Sequence, residues 1–316
     1  MTIETPAVLS GWPPPVLDPA GPFAGPVTTV AWVLFVMGAV VLTLVLIALG
    51  VALFGPPRWK RRVAGEKLVW IGGLAFPVVV LTGLLIYGLS VTARVADAPR
   101  PGEMRVRVTG EMWWWRVAYL DDQGRELVQD ANEVHIPAGR PVVLELESAD
   151  VIHSVWIPRL GGKTDMIPGR RNFMRLQADA PGVYAGQCAE YCGGPHALMG
   201  LVVVAHSPAD FAAWRLKQAA PAAVSGLPGA AVFTASGCGA CHTIRGTEAN
   251  GLAGPDLTHV GSRRTLGAGI LPNNQGTMAG WIADSQGIKP GNRMPSYSVL
   301  NGQELRDVAA YLESLK

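Results

Sequence analysis

The chain has few charged residues. Only 16% of its 316 residues are Asp, Glu, Lys or Arg, against about 25% in a typical soluble protein, and its mean hydropathy is positive at +0.25. The formal net charge of +2 is small and dispersed, and the sequence lacks a basic patch with interleaved aromatic residues. These shortages exclude a nucleic-acid-binding protein and indicate that part of the chain lies in lipid.

Charge is missing altogether from Pro19 to Pro57. The apolar run 26–55 and a second run, 68–91, each exceed the roughly 20 residues that cross a bilayer core. They predict a transmembrane helical hairpin over residues 26–97, with helices at about 27–54 and 68–91. Two buried helices of a soluble bundle are the alternative, but both runs are too long and too uniformly apolar for it. A signal peptide would start with basic residues, whereas the first Lys or Arg is Arg58.

The loop between the two runs is basic, and basic residues in short loops stay in the cytoplasm. Its basic residues are Arg58, Lys60, Arg61, Arg62 and Lys67. We therefore expect both chain termini on the extracytoplasmic side, with residues 1–25 as an N-terminal periplasmic segment.

Beyond the membrane hairpin, two domains are expected. Residues 98–216 contain short stretches with period-two alternation or β-branched runs, which predict an all-β sandwich. These stretches are MRVRVTG, EVHIPAG, PVVLELES, RNFMRLQAD, GVYAGQC and MGLVVVAH. A short helix is expected at 207–216, and the Ala/Pro/Gly-rich segment 217–229 predicts a linker. Residues 230–316 end in a stretch with helical periodicity and predict a mainly helical domain.

Cysteine is also scarce, with two close pairs and no others. The second pair lies in CGACH (238–242), the C-x-x-C-H attachment sequence of a c-type haem. Cys238 and Cys241 would bond the porphyrin, and His242 would be the proximal iron ligand. A thioredoxin-like or zinc C-x-x-C is the alternative, but the βαβ context and the second ligand pair that these sites need are missing.

A haem iron also needs a second axial ligand. Met294 lies in the Pro/Gly-rich stretch KPGNRMPSYSVL, which can fold over a haem face, and it is the first candidate. Met278, just before a predicted helix start, and His259 remain alternatives.

The first cysteine pair lies in CAEYCGGPHALM (188–199), together with a histidine and a methionine. Another histidine follows a predicted strand and can reach the same end of the sandwich. The candidate ligands are His153, Cys188, Cys192, His196 and Met199. Four of them would satisfy a Cys₂His₂ zinc site, but thiolate and thioether ligands on a β-sandwich favour copper. Two thiolates allow two copper ions to share both sulfurs, with the Glu190 carbonyl as a further ligand.

With these motifs the sequence resembles subunit II of the haem-copper cytochrome c oxidases, in the form with a fused C-terminal cytochrome c domain. The matching stretches are GEMWWWRVAY, HSVWIP, GGKTDMIPGRRN, CAEYCGGPHALM, GCGACHTI, GPDLTHVGSR and KPGNRMPSY. The resemblance implies a multidomain fold: the two-helix membrane hairpin, an all-β cupredoxin-like domain and an all-α class I cytochrome c domain. It departs from the family where EMWWW replaces the common HQWYW, and where no acid lies between Glu66 and Asp97.

The resemblance also implies roles for individual residues. The binuclear copper ligands would be His153, Cys188, Glu190 through its carbonyl, Cys192, His196 and Met199. The Glu190 side chain would help to hold magnesium at the border with subunit I. Trp113 would be the residue through which electrons reach the copper, and Asp165 would take part in docking.

The implied function is that of the subunit at which electrons enter a bacterial respiratory oxidase in the inner membrane. Haem c would accept electrons from a periplasmic or membrane-bound cytochrome c or bc complex and pass them through copper to subunit I. Subunit I would reduce oxygen and translocate protons, and subunit III is a further expected partner. The chain has six histidines and none in either apolar run, so the oxygen site lies on a partner chain.

Two other functions remain open on the sequence. A copper-dependent nitric oxide reductase would take electrons from the same kind of copper domain, since function resides in the site and here that site is on another chain. A membrane-anchored copper-delivery protein also uses C-x-x-x-C with a distant histidine, although His196, Met199 and the fused haem argue against it. Nitrous oxide reductase is excluded because it needs a second, histidine-rich cluster.

Overall fold

The computed structural model describes residues 15–95, 100–223 and 226–316. Most of the expected N-terminal segment 1–25 and the expected boundary at 97–98 lie outside these residues. The chain divides into two compact units, one of residues 25–97 and one formed by the rest.

The first unit contains two helices long and apolar enough to cross a membrane. Its elements are α1 (Gly25–Phe54), α2 (Pro57–Val63), α3 (Glu66–Leu68), a π-helical turn (Val69–Ala75) and α4 (Phe76–Val95). The second long helix begins at Glu66, two residues before the expected start. The π-helical turn ends two residues before Pro77, whose ring would clash with the carbonyl of a regular preceding turn, and irregular turns of this kind accompany such breaks.

The first part of the second unit is a sandwich of two five-stranded sheets. One sheet has the order β3-β2-β1-β5-β8 and the other β4-β10-β9-β6-β7. The strands are β1 (Met104–Glu111), β2 (Trp114–Leu120), β3 (Glu126–Ala131), β4 (Glu133–Pro137), β5 (Val142–Ser148), β6 (His153–Trp156), β7 (Lys163–Met166), β8 (Asn172–Leu176), β9 (Gly182–Cys188) and β10 (Gly200–His206). The expected all-β sandwich is confirmed.

The sequence predicted β1, β4, β5, β8, β9 and β10 but missed the other four strands. Strand β2 is buried at four consecutive positions, Val117 to Leu120, so it lacks the alternation that marks a half-exposed strand. Strands β6 and β7 have only four residues each, which is too short for a periodic signal.

The sandwich core is apolar and closely packed between the two sheets. Trp115, Leu144 and Ile157 have no exposed surface. The buried Trp115 indole donates to the Gly200 carbonyl oxygen at 3.0 Å, which satisfies its one polar atom and joins β2 to the start of β10. Buried polar groups with a partner of this kind fix one packing arrangement.

The last domain is mainly helical, as expected. After α5 (Pro208–Ala219) come α6 (Gly229–Ala235), α7 (Gln275–Ala283), α8 (Ser285–Ile288) and α9 (Gly302–Ser314), with two-residue strands β11 (Thr265–Leu266) and β12 (Leu271–Pro272). Helix α9 begins with a capping box of Asn301 and Glu304. Its buried face, Val308, Ala309 and Leu312, matches the predicted periodicity.

The segment between the domains is packed rather than extended. Helix α5 continues three residues into the segment 217–229 that was predicted as a linker. The Ala222 amide donates to the Arg245 carbonyl oxygen at 2.9 Å, and Ala222 is buried. Residues 224 and 225 of this segment lie outside the described residues.

Buried charges join the last domain to the sandwich. Arg263 Nε donates to Asp130 Oδ1 at 2.8 Å, and both side chains are almost fully buried. Glu133 Oε1 accepts from the amides of Arg264 and Thr265 at 2.6 and 3.2 Å. A buried charge is costly unless it is paired, so these contacts fix how the two domains meet.

A stack of three aromatic rings lies beside this junction, since His135 Nε2 is 3.8 Å from Asp130 Oδ2 and 3.6 Å from Glu133 Oε2. His135 lies parallel to Trp214 with ring centroids 4.2 Å apart, and its Nδ1 is 2.8 Å from His206 Nε2. Burial, together with the neighbouring His135, lowers the pKa of His206 to about 4. The folded chain therefore favours the neutral imidazole.

This shift predicts acid destabilisation. A group whose pKa is lower in the folded than in the unfolded state stabilises the fold above its unfolded pKa of about 6.5 and loses that stabilisation as the pH falls towards 4. We expect His206→Gln to lose less thermal stability than the wild type between pH 7 and pH 4.5, measured by circular dichroism on the full chain in detergent. The difference should be at most a few kcal/mol. Equal losses in the two proteins would contradict the assignment, and melting at pH 7 controls for packing changes.

Candidate metal centres

Adjacent strands bring the predicted copper ligands together. His153 begins β6 and Cys188 ends β9, and these strands pair with Val155 opposite Cys188. The other ligands follow on the loop to β10, which contains a 3₁₀ turn at Gly194–Leu198. Strand pairing therefore places a histidine 35 residues away in sequence next to the first cysteine.

Each cysteine sulfur has its own histidine and its own weaker ligand. Cys188 Sγ lies 3.8 Å from His153 Nδ1 and 3.3 Å from the Glu190 carbonyl oxygen. Cys192 Sγ lies 3.4 Å from His196 Nδ1 and 3.9 Å from Met199 Sδ. The other four predicted ligand atoms thus converge on the two cysteine sulfurs.

The two sulfurs are close but not joined. Their separation is 3.8 Å, against about 2.0 Å in a disulfide, and both cysteines are free thiols. The cluster is nearly dry, since His153, Cys188, Cys192 and Met199 are at most 5% exposed. Soft sulfur ligands with imidazole in a dry pocket fit copper better than zinc.

The pKa values of the two free thiols are shifted in opposite directions. The hydrogen bond between the sulfurs, assisted by His153, lowers the pKa of Cys188 to about 4, while the neighbouring Cys188 and burial raise the pKa of Cys192. Burial alone would lower the pKa of His153, but its hydrogen bonds with Cys188 and Asp150 raise it. Asp150 Oδ1 accepts from His153 Nε2 at 2.9 Å, which turns Nδ1 towards the sulfurs. An oriented imidazole of this kind is the usual support of a metal ligand.

Trp113 lies against the same loop. Its indole nitrogen donates to the Cys192 carbonyl oxygen at 2.9 Å. Gly193 has φ +115°, and a Cβ at this position would come within 3.0 Å of the Trp113 ring. Glycine is therefore required between Cys192 and the turn for Trp113 to lie so close to the cluster.

The Glu190 side chain points away from its own carbonyl to the surface. Lys163 Nζ lies between Glu190 Oε2 at 3.2 Å and Asp165 Oδ1 at 3.1 Å, and all three side chains are nearly half exposed. The predicted magnesium ligand and the predicted docking acid are thus neighbours on one face beside the copper cluster.

The predicted haem residues lie together at the edge of the last domain. Cys238 begins a 3₁₀ turn, and the His242 amide donates to the Cys238 carbonyl oxygen at 3.0 Å. His242 Nδ1 donates to the Pro255 carbonyl oxygen at 2.8 Å, which would leave Nε2 for the predicted haem iron. A Cβ at Gly254 would lie 2.5 Å from the imidazole, so glycine makes room for the ring.

These residues line a cavity of about 350 Å³ between the last domain and the sandwich. Cys238, Cys241 and His242 lie in its wall, and so do Met278 and Met294. The pair of unjoined thiols, the oriented imidazole and an apolar cavity fit a covalently bound haem. His259 is not in the wall, because its Nε2 donates to the Ala220 carbonyl oxygen at 3.0 Å. Both methionines remain possible axial ligands by position.

The cavity has a second wall that the sequence did not predict. Glu111, Trp113 and Trp114 of the sandwich line it together with Lys289 of the last domain. Lys289 is 3% exposed, burial lowers its pKa to about 7, and its Nζ donates to three carbonyl oxygens of other segments. A lysine in a Pro/Gly-rich stretch is expected to be exposed to solvent, so no local sequence pattern could have indicated its burial.

Comparison with known proteins assigns both domains. Residues 118–206 match the family described as cytochrome c oxidase subunit II, periplasmic domain, and residues 227–316 match the cytochrome c family. Cytochrome c oxidase subunit 2 of Alkalihalophilus pseudofirmus is 35% identical over 95% of this chain and 90% of its own length. The chain belongs to the cytochrome c oxidase subunit II family.

A second subunit II relative agrees with this assignment. The Bacillus subtilis protein is 31% identical over 81% of this chain and 77% of its own length. A crystal structure of the periplasmic domain of subunit II from Bradyrhizobium japonicum aligns with 39% of this chain and 96% of its own, with 29% identity and a TM-score of 0.35.

Family membership confirms the expected fold class and several functional expectations. As a subunit II with a cytochrome c domain, the chain binds copper and haem c, is anchored in a membrane and associates with the catalytic subunit I of a haem-copper oxidoreductase. Electrons enter that complex through this subunit.

The axial ligand of the haem in this subunit II can be tested by substitution. We expect Met294→Ala to keep the haem attached, because the thioethers come from Cys238 and Cys241, but to lower its reduction potential by removing the thioether ligand. Redox titration of the haem absorbance measures this change.

Met278→Ala is the matched control, since it removes a methionine from the same cavity wall. Met278 is 2% exposed, so its loss should cost about 2–5 kcal/mol of stability and leave the potential close to that of the wild type. A potential that falls in Met278→Ala and not in Met294→Ala would make Met278 the ligand.

Proposed function

We propose that this chain is the subunit at which electrons enter a bacterial terminal oxidase. It accepts them at a haem c held by Cys238, Cys241 and His242 and passes them through two copper ions to the chain that reduces oxygen to water with proton translocation. The observation that carries this proposal is the position of Trp113, which lines the haem cavity and also donates to the Cys192 carbonyl oxygen. One side chain thus contacts both sites.

The symmetry of the predicted ligands supports two copper ions. Each sulfur lies within 4 Å of one imidazole nitrogen and of one weaker oxygen or sulfur ligand. This divides the cluster into two similar positions that share both thiolates. Two metals with common thiolates can exchange single electrons with little change in geometry, which suits fast transfer.

We expect the metal-loaded full chain to contain two copper ions and one covalent haem. Elemental analysis and the pyridine haemochrome spectrum measure these numbers. Replacing Met199 by Leu, which keeps the volume but removes the sulfur, should change the copper spectrum and leave the haem count at one. One copper ion per wild-type chain, or bound zinc, would contradict the two-position arrangement.

Charge and the N-terminal contacts support the proposed orientation in the membrane. Basic residues in short loops favour the cytoplasmic side, which supports a cytoplasmic position for the basic loop of α2. Residues just before α1 pack on the sandwich, since the Ala20 amide donates to the Arg159 carbonyl oxygen at 2.7 Å and Asp18 pairs with Arg159. Both ends of the hairpin are then extracytoplasmic, in the bacterial inner membrane, and the donor is a periplasmic or membrane-bound cytochrome c or bc complex.

The face beside the copper cluster is the proposed contact with subunit I. Glu190 and Asp165 supply carboxylate oxygens there, the ligand type that magnesium prefers. Magnesium would compete with Lys163 for the Glu190 carboxylate, so we assign this ion to the assembled complex in which subunit I adds ligands. Subunit III is a further partner in this assembly.

The electron route can be tested at Trp113. Trp113→Phe keeps an aromatic ring but removes the indole N–H, so the hydrogen bond to Cys192 is lost. We expect slower electron transfer from haem to copper after flash reduction of the haem. Trp214→Phe, which alters the stack with His135 away from the cavity, should transfer at the wild-type rate. An unchanged rate in Trp113→Phe would reduce Trp113 to a packing role.

The terminal acceptor is tested on the assembled complex. Wild-type complex purified in mild detergent should consume oxygen with a reduced cytochrome as donor and should not consume nitric oxide at a comparable rate. The opposite preference would support the nitric oxide reductase.

A further inference from the structure

Lys289 follows α8 in the last domain, but its side chain lies between the two domains. Its ammonium nitrogen donates to the carbonyl oxygens of Trp113 at 2.6 Å, Leu198 at 2.8 Å and Gly267 at 2.9 Å. An ammonium group has three N–H donors, so all of them are used. The residue is 3% exposed, and no donor is left for water.

Two of the three carbonyl groups belong to residues beside the predicted copper ligands, and the third lies at the contact between the domains. Trp113 donates to the Cys192 carbonyl oxygen. Leu198 directly precedes Met199 in the loop between β9 and β10, residues 189–199, which we call the copper loop. Gly267 directly precedes Ala268, whose carbonyl oxygen accepts the Gly200 amide at 2.9 Å, so the third contact reinforces the junction between the domains.

The backbone of Lys289 is linked by hydrogen bonds to the loop that carries Met294, residues 290–297, which we call the haem loop. Asn292 Nδ2 donates to the Lys289 carbonyl oxygen at 2.7 Å, and Asn292 Oδ1 accepts the Met294 amide at 2.8 Å. A short chain of hydrogen bonds therefore connects Met294, Asn292, Lys289 and Leu198. The haem loop and the copper loop are held by the same residue.

The contacts also place a positive charge beside the copper cluster. A buried ammonium group is costly unless hydrogen-bonded, and three carbonyl oxygens offset that cost without neutralising the charge. When Lys289 is protonated, its positive charge in this low-dielectric environment favours a reduced metal over an oxidised one, because reduction adds negative charge nearby.

We propose that Lys289 is a positioning residue that fixes the copper loop and Trp113 against the haem loop and raises the reduction potential of the copper centre. The second half of this proposal rests on the proposed function of the site. The first half concerns only the chain itself and holds without any metal. A structural lysine that only fills space would do neither.

The first measurement is amide hydrogen exchange in the metal-free full chain in detergent. Lys289→Met keeps much of the volume but removes the three donors. We expect faster exchange at Met199 and Gly200 in this variant, because local opening becomes easier when the contacts that close it are lost. Lys217→Met, at an exposed position on α5, is the matched control and should leave these amides unchanged.

The second measurement is the reduction potential of copper in the loaded chain, with Lys289→Gln as an added variant. Gln supplies two N–H donors but no charge, so its exchange rates should stay nearer to the wild type while the copper potential falls as in Lys289→Met. Transfer from haem to copper should be slower in Lys289→Met than in the wild type, because the contacts that hold Trp113 and Leu198 in place are lost.

The outcomes separate the two proposals. Wild-type exchange at Met199 and Gly200 in Lys289→Met overturns the positioning role, whatever the metals do. Faster exchange with an unchanged copper potential in both variants overturns the electrostatic role. If the Lys289→Met protein does not accumulate, the copper reduction potential of Lys289→Gln alone decides the electrostatic role. If no copper binds to the wild type, the proposed function fails while the exchange result still stands.

Discussion

One backbone hydrogen bond controls the geometry of the copper site. The Cys188 amide donates to the Met199 carbonyl oxygen at 2.9 Å, as β9 and β10 meet at the end of their ladder, and it closes the loop that carries Cys192 and His196. Closing a short loop removes most of its conformational freedom. The pairing of β9 with β6 then adds His153 from the other side. The sulfurs are therefore held 3.8 Å apart by the sheet and not by a bond between them.

The contact between the domains adds a second constraint. Its buried groups are charged or strongly polar: Asp130 with Arg263, Glu133 with two amides, and Lys289 with three carbonyl oxygens. Such groups contribute little net stability, because their desolvation offsets their attraction. Their partners are in reach in one arrangement, however, and any sliding of the surfaces would separate a buried charge from its partner. They therefore select an orientation more than they strengthen the contact.

The sequence predicted the parts of the structure that depend on local pattern. The apolar runs, the β-sandwich and the last amphipathic helix follow from periodicity and length, and the cysteine spacings predicted the two candidate metal centres. The sequence also placed His153 at the same end of the sandwich as Cys188, but its position beside the sulfur depends on the pairing of β6, a strand too short to show a pattern. Lys289 could not be predicted at all, because its role depends on three carbonyl oxygens distant in sequence. The packed segment around Ala222 also differs from the flexible linker that its composition predicts, since composition does not report the partners that a segment finds.

A packed domain and a tethered domain would deliver electrons in different ways. A flexible tether raises the local concentration of a donor, and each encounter must then find a productive orientation. Here the haem cavity includes Trp113 in its wall, and a Cβ at Gly291, on the haem side, would lie only 3.6 Å from the Trp113 ring. Under the proposed function, folding fixes the orientation of the haem domain relative to the copper centre, so this orientation need not be found again at each turnover. The same packing partly covers Trp113, so under the proposed function an external donor would meet the haem domain before the copper centre.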